Sequence, residues 1–99
     1  MSKTMQIKYT LRMATRFKKN LKRVTKRNID NARKIKEATD ILQTGESLPE
    51  RYHDHALTGN WAGHRECHIL PDLLLIYRII DDFLILELVD TGSHSDLFS

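Results

Sequence analysis

The sequence predicts an α+β fold, in which two N-terminal helices pack on one face of a twisted, mainly antiparallel four-stranded sheet. Three observations support this prediction: an alternating segment near the N-terminus, two segments of helical periodicity after it, and three closely spaced apolar segments in the second half. The short connections between the last three segments require antiparallel neighbours. The predicted order is β-α-α-β-β-β, and 99 residues suffice for a single domain, residues 1–99, with one modest core.

The first strand and the first helix follow from two different periodicities. Residues 5–10 alternate apolar and polar side chains, with Met5, Ile7 and Tyr9 on one face, as is typical of a half-buried strand. Residues 13–26 carry apolar side chains at three- and four-residue spacing, which predicts an amphipathic helix.

The second helix is expected to begin near Asn28, because asparagine is a common N-cap residue. Gly45 is placed to end it in a left-handed conformation, and Pro49 prevents a restart. The short turn between the two helices predicts a helical hairpin lying on the sheet. The side chains expected on its buried face are Ile29, Ala32, Ile35, Ala38 and Leu42.

The second half of the chain is expected to supply a loop and three strands. Residues 45–63 have a loop-like composition, and strands are predicted at 64–70, 73–80 and 83–91. The segment 73–77 is apolar on both faces, so it is predicted to be the central strand, covered from both sides. The face of the sheet that the helices leave open is a candidate binding surface.

Charge is distributed asymmetrically along the chain. Residues 1–44 contain 13 Lys/Arg and 3 Asp/Glu, whereas residues 45–99 contain 3 Lys/Arg and 10 Asp/Glu. So basic a segment indicates a polyanionic partner, such as RNA, DNA or an acidic protein segment, with a merely solvated helical surface as the alternative. The apolar runs are too short for a membrane-spanning helix, the N-terminus lacks the apolar core of a secretion signal, and there is one cysteine. We therefore expect a cytoplasmic protein.

All five histidines lie after residue 52, and histidine both accepts and donates protons near neutral pH. Cleavage of RNA through its own 2′-hydroxyl needs a group that takes one proton, a group that gives one, and stabilisation of charge on the phosphate. On the predicted strand His64 and His68 are about 13 Å apart, so at most one of them belongs to a given site. Residues of suitable type are His55, His68, Asp72 and His94, with a surface or structural role as the alternative for each.

Two other chemistries rest on single features. His53 and His55 form an H-x-H pair that can chelate zinc, but structural zinc sites usually need further Cys or His ligands at close spacing. Cys67 is a candidate nucleophile, but it is predicted to face away from His68, and a lone strand cysteine is more often a buried apolar residue. We therefore expect neither a metal ion nor a cofactor.

The C-terminal residues have a structural interpretation of their own. Ser93 and Asp96 are close to the S-x-x-E/D pattern of a helix capping box. Leu97 and Phe98 are placed to dock against the apolar edge of the sheet. On this interpretation alone His94 is incidental.

Three longer motifs in the second half are more specific. D-H-x-L-x-G-x-W begins at Asp54, C-H-I-x-P-D-L-L-L-I-Y begins at Cys67, and G-S-H-x-x-L-F begins at Gly92. Together they resemble the RelE/ParE toxin superfamily and, within it, the YafQ-like mRNA interferases. The resemblance covers residues 48–98, while the N-terminal helices match only in pattern and basic charge.

The resemblance implies a microbial ribonuclease-like α+β fold and a type II toxin held inactive by a cognate RelB/DinJ-like antitoxin. YafQ-like members cleave mRNA on the ribosome without a metal ion, and toxin–antitoxin complexes often bind their own operator DNA. By resemblance, the acid–base residues are His55, His68, Asp72 and His94, Phe98 orients a nucleotide, and Glu66 occupies the position of a functional acid in some relatives.

Asp90 departs from the family pattern. YafQ-like enzymes usually have an arginine two residues before the final glycine, where it contacts the scissile phosphate, whereas this chain has Asp90. A carboxylate repels phosphate where a bidentate donor is expected, and losing one such contact costs on the order of 10²–10³ in rate. Three explanations stay open: Arg65 or Arg78 supplies the charge from a neighbouring strand, the nuclease is attenuated, or the chain was altered to be tolerated on expression.

Two functions follow from these features. The leading hypothesis is a ribosome-dependent endoribonuclease toxin. The alternative is a ParE-like gyrase inhibitor or a catalytically inactive antitoxin- or operator-binding module, for which Asp90 is the main support. This alternative leaves the three histidine-containing motifs without a use.

Overall fold

Three helices and a mixed sheet organise residues 6–98, which are the residues that the computed structural model describes. The predicted α+β class is confirmed, and a short additional strand makes the sheet five-stranded. In chain order the elements are β1 (Thr10–Met13), α1 (Thr15–Arg27), α2 (Asp30–Gln43), β2 (His55–Ala56), β3 (Arg65–Leu70), β4 (Leu73–Ile80), β5 (Ile85–Gly92) and α3 (His94–Phe98).

The strands lie in the order β1-β5-β4-β3-β2. The last four strands pair antiparallel through short connections, whereas β1 pairs parallel to β5. β1 reaches only as far as Leu88, so within residues 6–98 no strand pairs with residues 89–92 of β5 on that side. Helix α1 packs beside β5 and lies along this uncovered edge, which brings α1 side chains to the end of β5.

β4 is the central strand, as predicted, and both of its faces are covered. Leu75 and Tyr77 face α1 and α2 and are at most 1% exposed. Leu74 and Ile76 are fully buried on the opposite face, which we call the histidine face for the residues described below. The apolar cluster on the histidine face consists of Leu74, Ile76, Val89 and Leu97, with Leu57 and Trp61 packed against it.

The first strand lies later in the chain than predicted. It spans Thr10–Met13 rather than residues 5–10. Ile7, expected on the buried face, is 67% exposed, and Met5 lies outside the described residues.

Backbone hydrogen bonds explain why the alternation around Tyr9 was misleading. The N–H groups of Lys8 and Tyr9 both donate to the carbonyl of Gln43 at the end of α2, at 2.8 and 3.1 Å. Tyr9 is buried because it packs beneath this helix end, not because it belongs to the sheet. Pairing in the sheet starts at Thr10, whose N–H donates to the carbonyl of Leu84.

The helices occur close to their predicted positions. α2 starts at Asp30 and its N-cap position is Ile29 rather than the expected Asn28, although the Asp30 N–H donates to the side-chain oxygen of Asn28 at 3.0 Å. Ile29 was wrongly placed on the buried face, since it is 78% exposed. Gly45 has a φ of +86° just after the helix, which confirms the predicted left-handed termination.

The predicted loop at residues 45–63 contains more structure than its composition indicated. Strand β2 lies within it, between 3₁₀ turns at Glu50–Tyr52 and Gly59–Trp61. Two residues are too few for a detectable alternation, yet this strand positions His55. Among the described residues, no helix is long and apolar enough to cross a membrane.

Candidate active site

The register of the sheet places four residues in one row across four strands. His55 lies opposite Glu66, Glu66 opposite Ile76, and Ile76 opposite Asp90. Residues directly opposite one another point to the same face, and Ile76 belongs to the apolar cluster of the histidine face. His55, Glu66 and Asp90 therefore share this face, and His68 joins them because it lies two residues beyond Glu66. The register between β4 and β5 shifts between Ile76 and Tyr77, which leaves Val89 as an extra residue and allows the consecutive residues Val89 and Asp90 to lie on the same face.

Three histidine rings surround that of His68. Its ring centroid is 6.5 Å from that of His55, 6.3 Å from that of His94 and 5.7 Å from that of His53. We call these four residues the histidine cluster. Three of the four predicted acid–base residues, from β2, β3 and α3, are thus brought together by the fold.

Glu66 is the buried acid of this cluster. Its side chain is 5% exposed, and Oε1 lies 3.6 Å from Nε2 of His55 and 3.7 Å from Nε2 of His68. The Nδ1 atom of His55 is 2.8 Å from the carbonyl oxygen of His53. When His55 is protonated, each of its N–H groups therefore faces an acceptor, which suits a ring that carries and transfers a proton.

Helix α3 holds His94 through the predicted capping box. The N–H of Ser93 donates to Oδ2 of Asp96 at 3.0 Å, and the N–H of Asp96 donates to Oγ of Ser93 at 3.1 Å. The hydrogen bond from the Ser93 backbone, aided by the Ser93 hydroxyl and by Arg27 and Arg23, lowers the pKa of the Asp96 carboxyl despite partial burial. A terminal histidine is thereby fixed rather than frayed.

The two apolar residues at the end of α3 have different environments. Leu97 is buried in the apolar cluster of the histidine face, which confirms its predicted docking. The docking predicted for Phe98 is wrong: it is 42% exposed, and its ring centroid is 5.7 Å from that of His94. An exposed aromatic ring beside the cluster is suited to stacking on a nucleotide base.

His53 occupies a strained backbone position beside the cluster. Its φ of 48° lies in the left-handed region, which non-glycine residues adopt rarely. Its ring meets that of His68 edge to face. A groove of about 400 Å³ lies at this point, lined by Arg51, His53, His68, Ile69, Leu70 and Pro71.

Asp72, a predicted acid–base residue, and His64, the fifth histidine, lie apart from the histidine cluster. Asp72 is exposed in the turn between β3 and β4, and in the described part of the chain it has no side-chain hydrogen bond or ion pair. It lines a groove together with Arg27 and Ser93, so it borders the site rather than contacting the histidines. The ring of His64 packs edge-on against Trp61 instead of approaching His68.

Cys67 faces the opposite side of the sheet, as predicted. It is fully buried among the apolar residues beneath α1 and α2. Burial, with Asp54 and Glu66 nearby, raises the pKa of its thiol to about 12. A protonated, inaccessible thiol is not a nucleophile.

The two arginines considered as replacements at position 90 are engaged elsewhere. Arg65 lies opposite Tyr77 and so points to the helix side of the sheet, where its Nε is 3.3 Å from Oδ1 of Asp54. Arg78 is on the histidine face, but its Nε donates to Glu87 at 2.7 Å.

Asp90 is held instead by two side chains of α1. Arg16 places Nε 3.0 Å and Nη2 2.8 Å from Oδ2 of Asp90, and Nδ2 of Asn20 donates to Oδ1 at 2.6 Å. The N–H of Thr91 also donates to Oδ1, at 2.9 Å. The Asp90 side chain is 2% exposed, whereas that of Arg16 is 56% exposed. A buried carboxylate thus anchors a largely open guanidinium.

Comparison with known proteins assigns the family. The family described as "Bacterial toxin of type II toxin-antitoxin system, YafQ" matches residues 9–99. The chain belongs to the YafQ family. It is 37% identical over 82 residues to the mRNA interferase toxin YafQ of Escherichia coli strain K12, which covers 83% of this chain and 87% of that protein.

Solved structures of YafQ toxins and related toxins share the fold. The E. coli DinJ–YafQ complex contains a chain with a TM-score of 0.82 and 34% identity, covering 92% of this chain and 99% of that one. A metal-bound toxin from Helicobacter pylori has a TM-score of 0.84 and 39% identity, covering 91% of this chain and 99% of that one. Both confirm the predicted RelE-like architecture.

Sequence reasoning missed three residues of this YafQ-family site. Arg16 was seen only as part of a basic helix face, Trp61 only as part of a motif, and His53 only as half of a metal-binding pair. Arg16 and Trp61 contact each other, with the guanidinium carbon 5.3 Å from the indole ring centroid. Their separation of 45 positions in the chain leaves no local signal. The acid at position 90, where the family pattern has an arginine, was the one sequence signal that a basic side chain lies nearby.

Proposed function

We propose that this YafQ-type mRNA interferase toxin cleaves mRNA on the ribosome through acid–base chemistry of the histidine cluster. The observation that carries the proposal is the convergence of His55, His68 and His94 from three separate elements, with His68 in the centre. The buried carboxylate of Glu66 lies beside two of these rings. Such a set supplies both proton transfers that cleavage of an RNA chain requires.

In this proposal the RNA's own 2′-hydroxyl attacks the adjacent phosphate. One histidine takes the hydroxyl proton, the 2′-oxygen bonds to phosphorus, and the bond from phosphorus to the 5′-oxygen breaks. A second histidine gives its proton to that 5′-oxygen, leaving a 2′,3′-cyclic phosphate and a 5′-hydroxyl. His55 and His94 approach His68 from β2 and from α3, which suits them to the two opposite roles.

The other predicted site residues have supporting positions in this proposal. Phe98 stacks on a base next to the scissile phosphate, where its exposed ring lies beside His94. Glu66 orients the rings of His55 and His68. Asp72, on the rim of the site, acts only once substrate or ribosome brings a reacting group to it.

The basic surface of α1 provides the approach to ribosomal RNA in this proposal. The outward side chains of the helix are exposed and positively charged, and a clustered cationic surface attracts the phosphate backbone at long range. The exposed Lys/Arg residues of α1 are Arg16, Lys18, Lys19, Lys22, Arg23, Lys26 and Arg27.

The proposed partners follow from the family. A YafQ toxin is found in complex with DinJ in the E. coli structure, and we assign a DinJ-type antitoxin to this chain as well. Contact with operator DNA is then made only through the toxin–antitoxin complex. Since the proposed substrate is mRNA on ribosomes, the toxin acts in the cytoplasm.

Gyrase inhibition is not favoured by the site. Its main support was the acid at position 90, and the pairing of that acid with Arg16 gives Asp90 a role that is compatible with nuclease activity. The histidine cluster has no use in a gyrase inhibitor.

The test is to add the protein to translating ribosomes and map new mRNA 5′ ends, with a gyrase supercoiling assay in parallel. We expect new ends with the wild type, and with His94→Ala the same ends reduced about 10²–10⁴-fold. Equal end profiles for both proteins, or gyrase inhibition without cleavage, contradict the proposal. Induction in cells with and without the antitoxin gives the matching growth and mRNA-integrity readout.

A further inference from the structure

Cleavage of RNA by the histidine cluster leaves one requirement unassigned, namely the group that binds the phosphate. Attack by the 2′-oxygen adds negative charge to the phosphate oxygens, and a guanidinium with two parallel N–H donors is the side chain best suited to receive it. The position where the sequence pattern leads one to expect this arginine carries Asp90. The cation must therefore come from another element of the chain.

The position of Asp90 on the histidine face shows where that cation is needed. Asp90 lies in the row of His55 and Glu66, with Ile76 between them. The neighbouring row contains His68, Leu74 and Gly92. Adjacent rows on one face are two residues, or about 7 Å, apart along a strand. A group attached to Asp90 is thus one row along and two strands across from His68, and a long side chain such as arginine spans part of that distance.

Arg16 is the group attached there, and its geometry is fixed from two sides. The carboxylate of Asp90 contacts Nε and Nη2, and Asn20 and the Thr91 N–H fix the carboxylate in turn. The guanidinium carbon of Arg16 lies over the Trp61 ring, 5.3 Å from its centroid. Trp61 itself packs on the apolar cluster of the histidine face.

The remaining surface of Arg16 is available for a ligand. A guanidinium has five N–H donors, and the contact with Asp90 uses at most two of them. The Arg16 side chain is 56% exposed. Anchoring through one edge therefore leaves the other edge, with parallel donors, pointing away from the buried acid.

Three other arginines, two in the sheet and one in the turn before β2, are less suitable for this role. Arg65 points to the opposite face. Arg78 is on the histidine face but lies four residues from Leu74 along β4, about 13 Å and two rows from His68, and it is paired with Glu87. Arg51 lines the groove beside His53 and His68, but its guanidinium stacks on the ring of Tyr52 at 4.4 Å and donates to the Tyr52 hydroxyl at 3.3 Å, and among the described residues no carboxylate anchors it.

We propose that Arg16 is the phosphate-binding residue of this nuclease, supplied by α1 in place of a strand arginine. Asp90 is its positioning residue, Asn20 fixes the Asp90 carboxylate, and Trp61 supports the guanidinium of Arg16. The acid at position 90 thus fixes a cation in the site instead of removing one. This inference rests on the proposed nuclease function.

The first part of the test measures cleavage of ribosome-bound mRNA under single-turnover conditions. Arg16→Ala is expected to lower the cleavage rate at saturating toxin on the order of 10²-fold, as for loss of one transition-state donor. Arg16→Lys is expected to recover only part of it, because a lysine is not a bidentate donor. Asp90→Asn is expected to give an intermediate loss, since the amide keeps the shape but not the charge.

Arg12→Ala is the matched control. Arg12 is also an exposed arginine paired with a β5 carboxylate, Glu87, at 2.8 Å, but it lies on β1. It is expected to cleave within about twofold of the wild type, and thermal unfolding of every variant shows that it is folded. If the wild type cleaves and Arg16→Ala cleaves equally fast, the role of Arg16 is overturned.

The second part of the test does not depend on cleavage. Binding of a single-stranded 2′-deoxy oligonucleotide, which has no 2′-hydroxyl and so cannot be cleaved, is measured against salt concentration. Each lost phosphate contact reduces the slope of log K against log salt by about 0.7 for a single strand. Arg16→Ala is expected to show this reduction and Arg12→Ala is not. An unchanged slope for Arg16→Ala overturns the inference, even where the wild type fails to cleave and the nuclease function itself falls.

Discussion

Ser93 and Asp96 hold each other at the start of α3, each accepting the backbone N–H of the other through its side chain, at 3.0 and 3.1 Å. The pair flanks His94, the last histidine of the cluster, with Ser93 directly before it and Asp96 two residues after it. Gly92 is required beside it, because a Cβ at this position would lie 2.9 Å from Cβ of Asp96. The orientation of His94 is therefore set by a cap rather than by the sheet.

Removing the cap is expected to weaken cleavage more than stability. Asp96→Ala loses about 1 kcal/mol of capping energy, which reduces the population of ordered α3 by up to about fivefold. We expect cleavage to fall by a similar factor while the global unfolding midpoint changes little, because α3 is a single terminal turn. Asp82→Ala, at an exposed acid in the turn before β5, serves as the control. Equal cleavage by both variants contradicts the role of the cap.

The order of α3 is expected to depend on acidity. Since the pKa of Asp96 is lowered in the folded protein from its ordinary value of 3.8, its ionised form stabilises the cap. This contribution is complete above about pH 5 and is lost as pH falls through 3.8 towards the folded pKa. The N–H of Leu97 bonds to the carbonyl of Ser93, so the protection factor of this amide reports the effect.

The comparison is made between the wild type and Asp96→Asn from pH 5 to pH 3. Protection in the wild type is expected to fall over this range, and that of the variant to be lower at pH 5 and nearly constant. Parallel curves for the two proteins would show that Asp96 does not govern the order of α3.

The capping box and the fold class were readable from the sequence because both are local patterns. Ser93 and Asp96 lie three residues apart, and the apolar run of β4 marks a strand covered on both faces whatever its partners. The limits of the first strand were misplaced because Tyr9 is buried by the end of α2, 34 residues away. The parallel pairing of β1 with the last strand has no local signal either.

In the candidate site, too, the features that depend on local patterns were predictable and those that depend on distant residues were not. His55, His68 and His94 were identified from motifs, but their convergence depends on the two-residue strand β2 and on the register of the sheet. The role of Asp90 was not readable, since its partner Arg16 lies 74 positions earlier in the chain. Composition described α1 as basic without indicating that one of its arginines reaches the histidine face.

Single substitutions in the histidine cluster are expected to slow cleavage far more than a substitution of His64, which lies outside it. His55→Ala, His68→Ala and His94→Ala each lose a proton-transfer group or its neighbour, so cleavage falls about 10²–10⁴-fold. His64→Asn is the comparison variant, because its ring packs on Trp61 and not on His68; a loss transmitted through the Trp61 support of Arg16 is expected to stay well below that of the clustered histidines. Rates are measured on ribosome-bound mRNA. A loss as large for His64→Asn as for the clustered residues argues against the assignment.

Restoring the arginine of the family pattern is expected to harm this protein. In Asp90→Arg the new guanidinium lies beside that of Arg16, and the carboxylate that paired with Arg16 is lost. The unfolding free energy is therefore expected to fall by about 1–3 kcal/mol, and cleavage falls as well. Exchanging both residues, as Arg16→Asp with Asp90→Arg, returns an ion pair with the cation on β5. We expect this double variant to recover stability and much of the activity. Faster cleavage by Asp90→Arg alone would identify Asp90 as an attenuating residue instead.

The central claim is that the histidine cluster cleaves RNA through the 2′-hydroxyl of the substrate. The most direct measurement uses a ribosome-bound mRNA carrying a single 2′-deoxy nucleotide immediately 5′ of the mapped cleavage position, beside the all-ribose mRNA. We expect the all-ribose mRNA to yield a 2′,3′-cyclic phosphate and a 5′-hydroxyl end, and the substituted mRNA to stay intact at that position. Cleavage of the 2′-deoxy mRNA at the same position and rate would contradict this account.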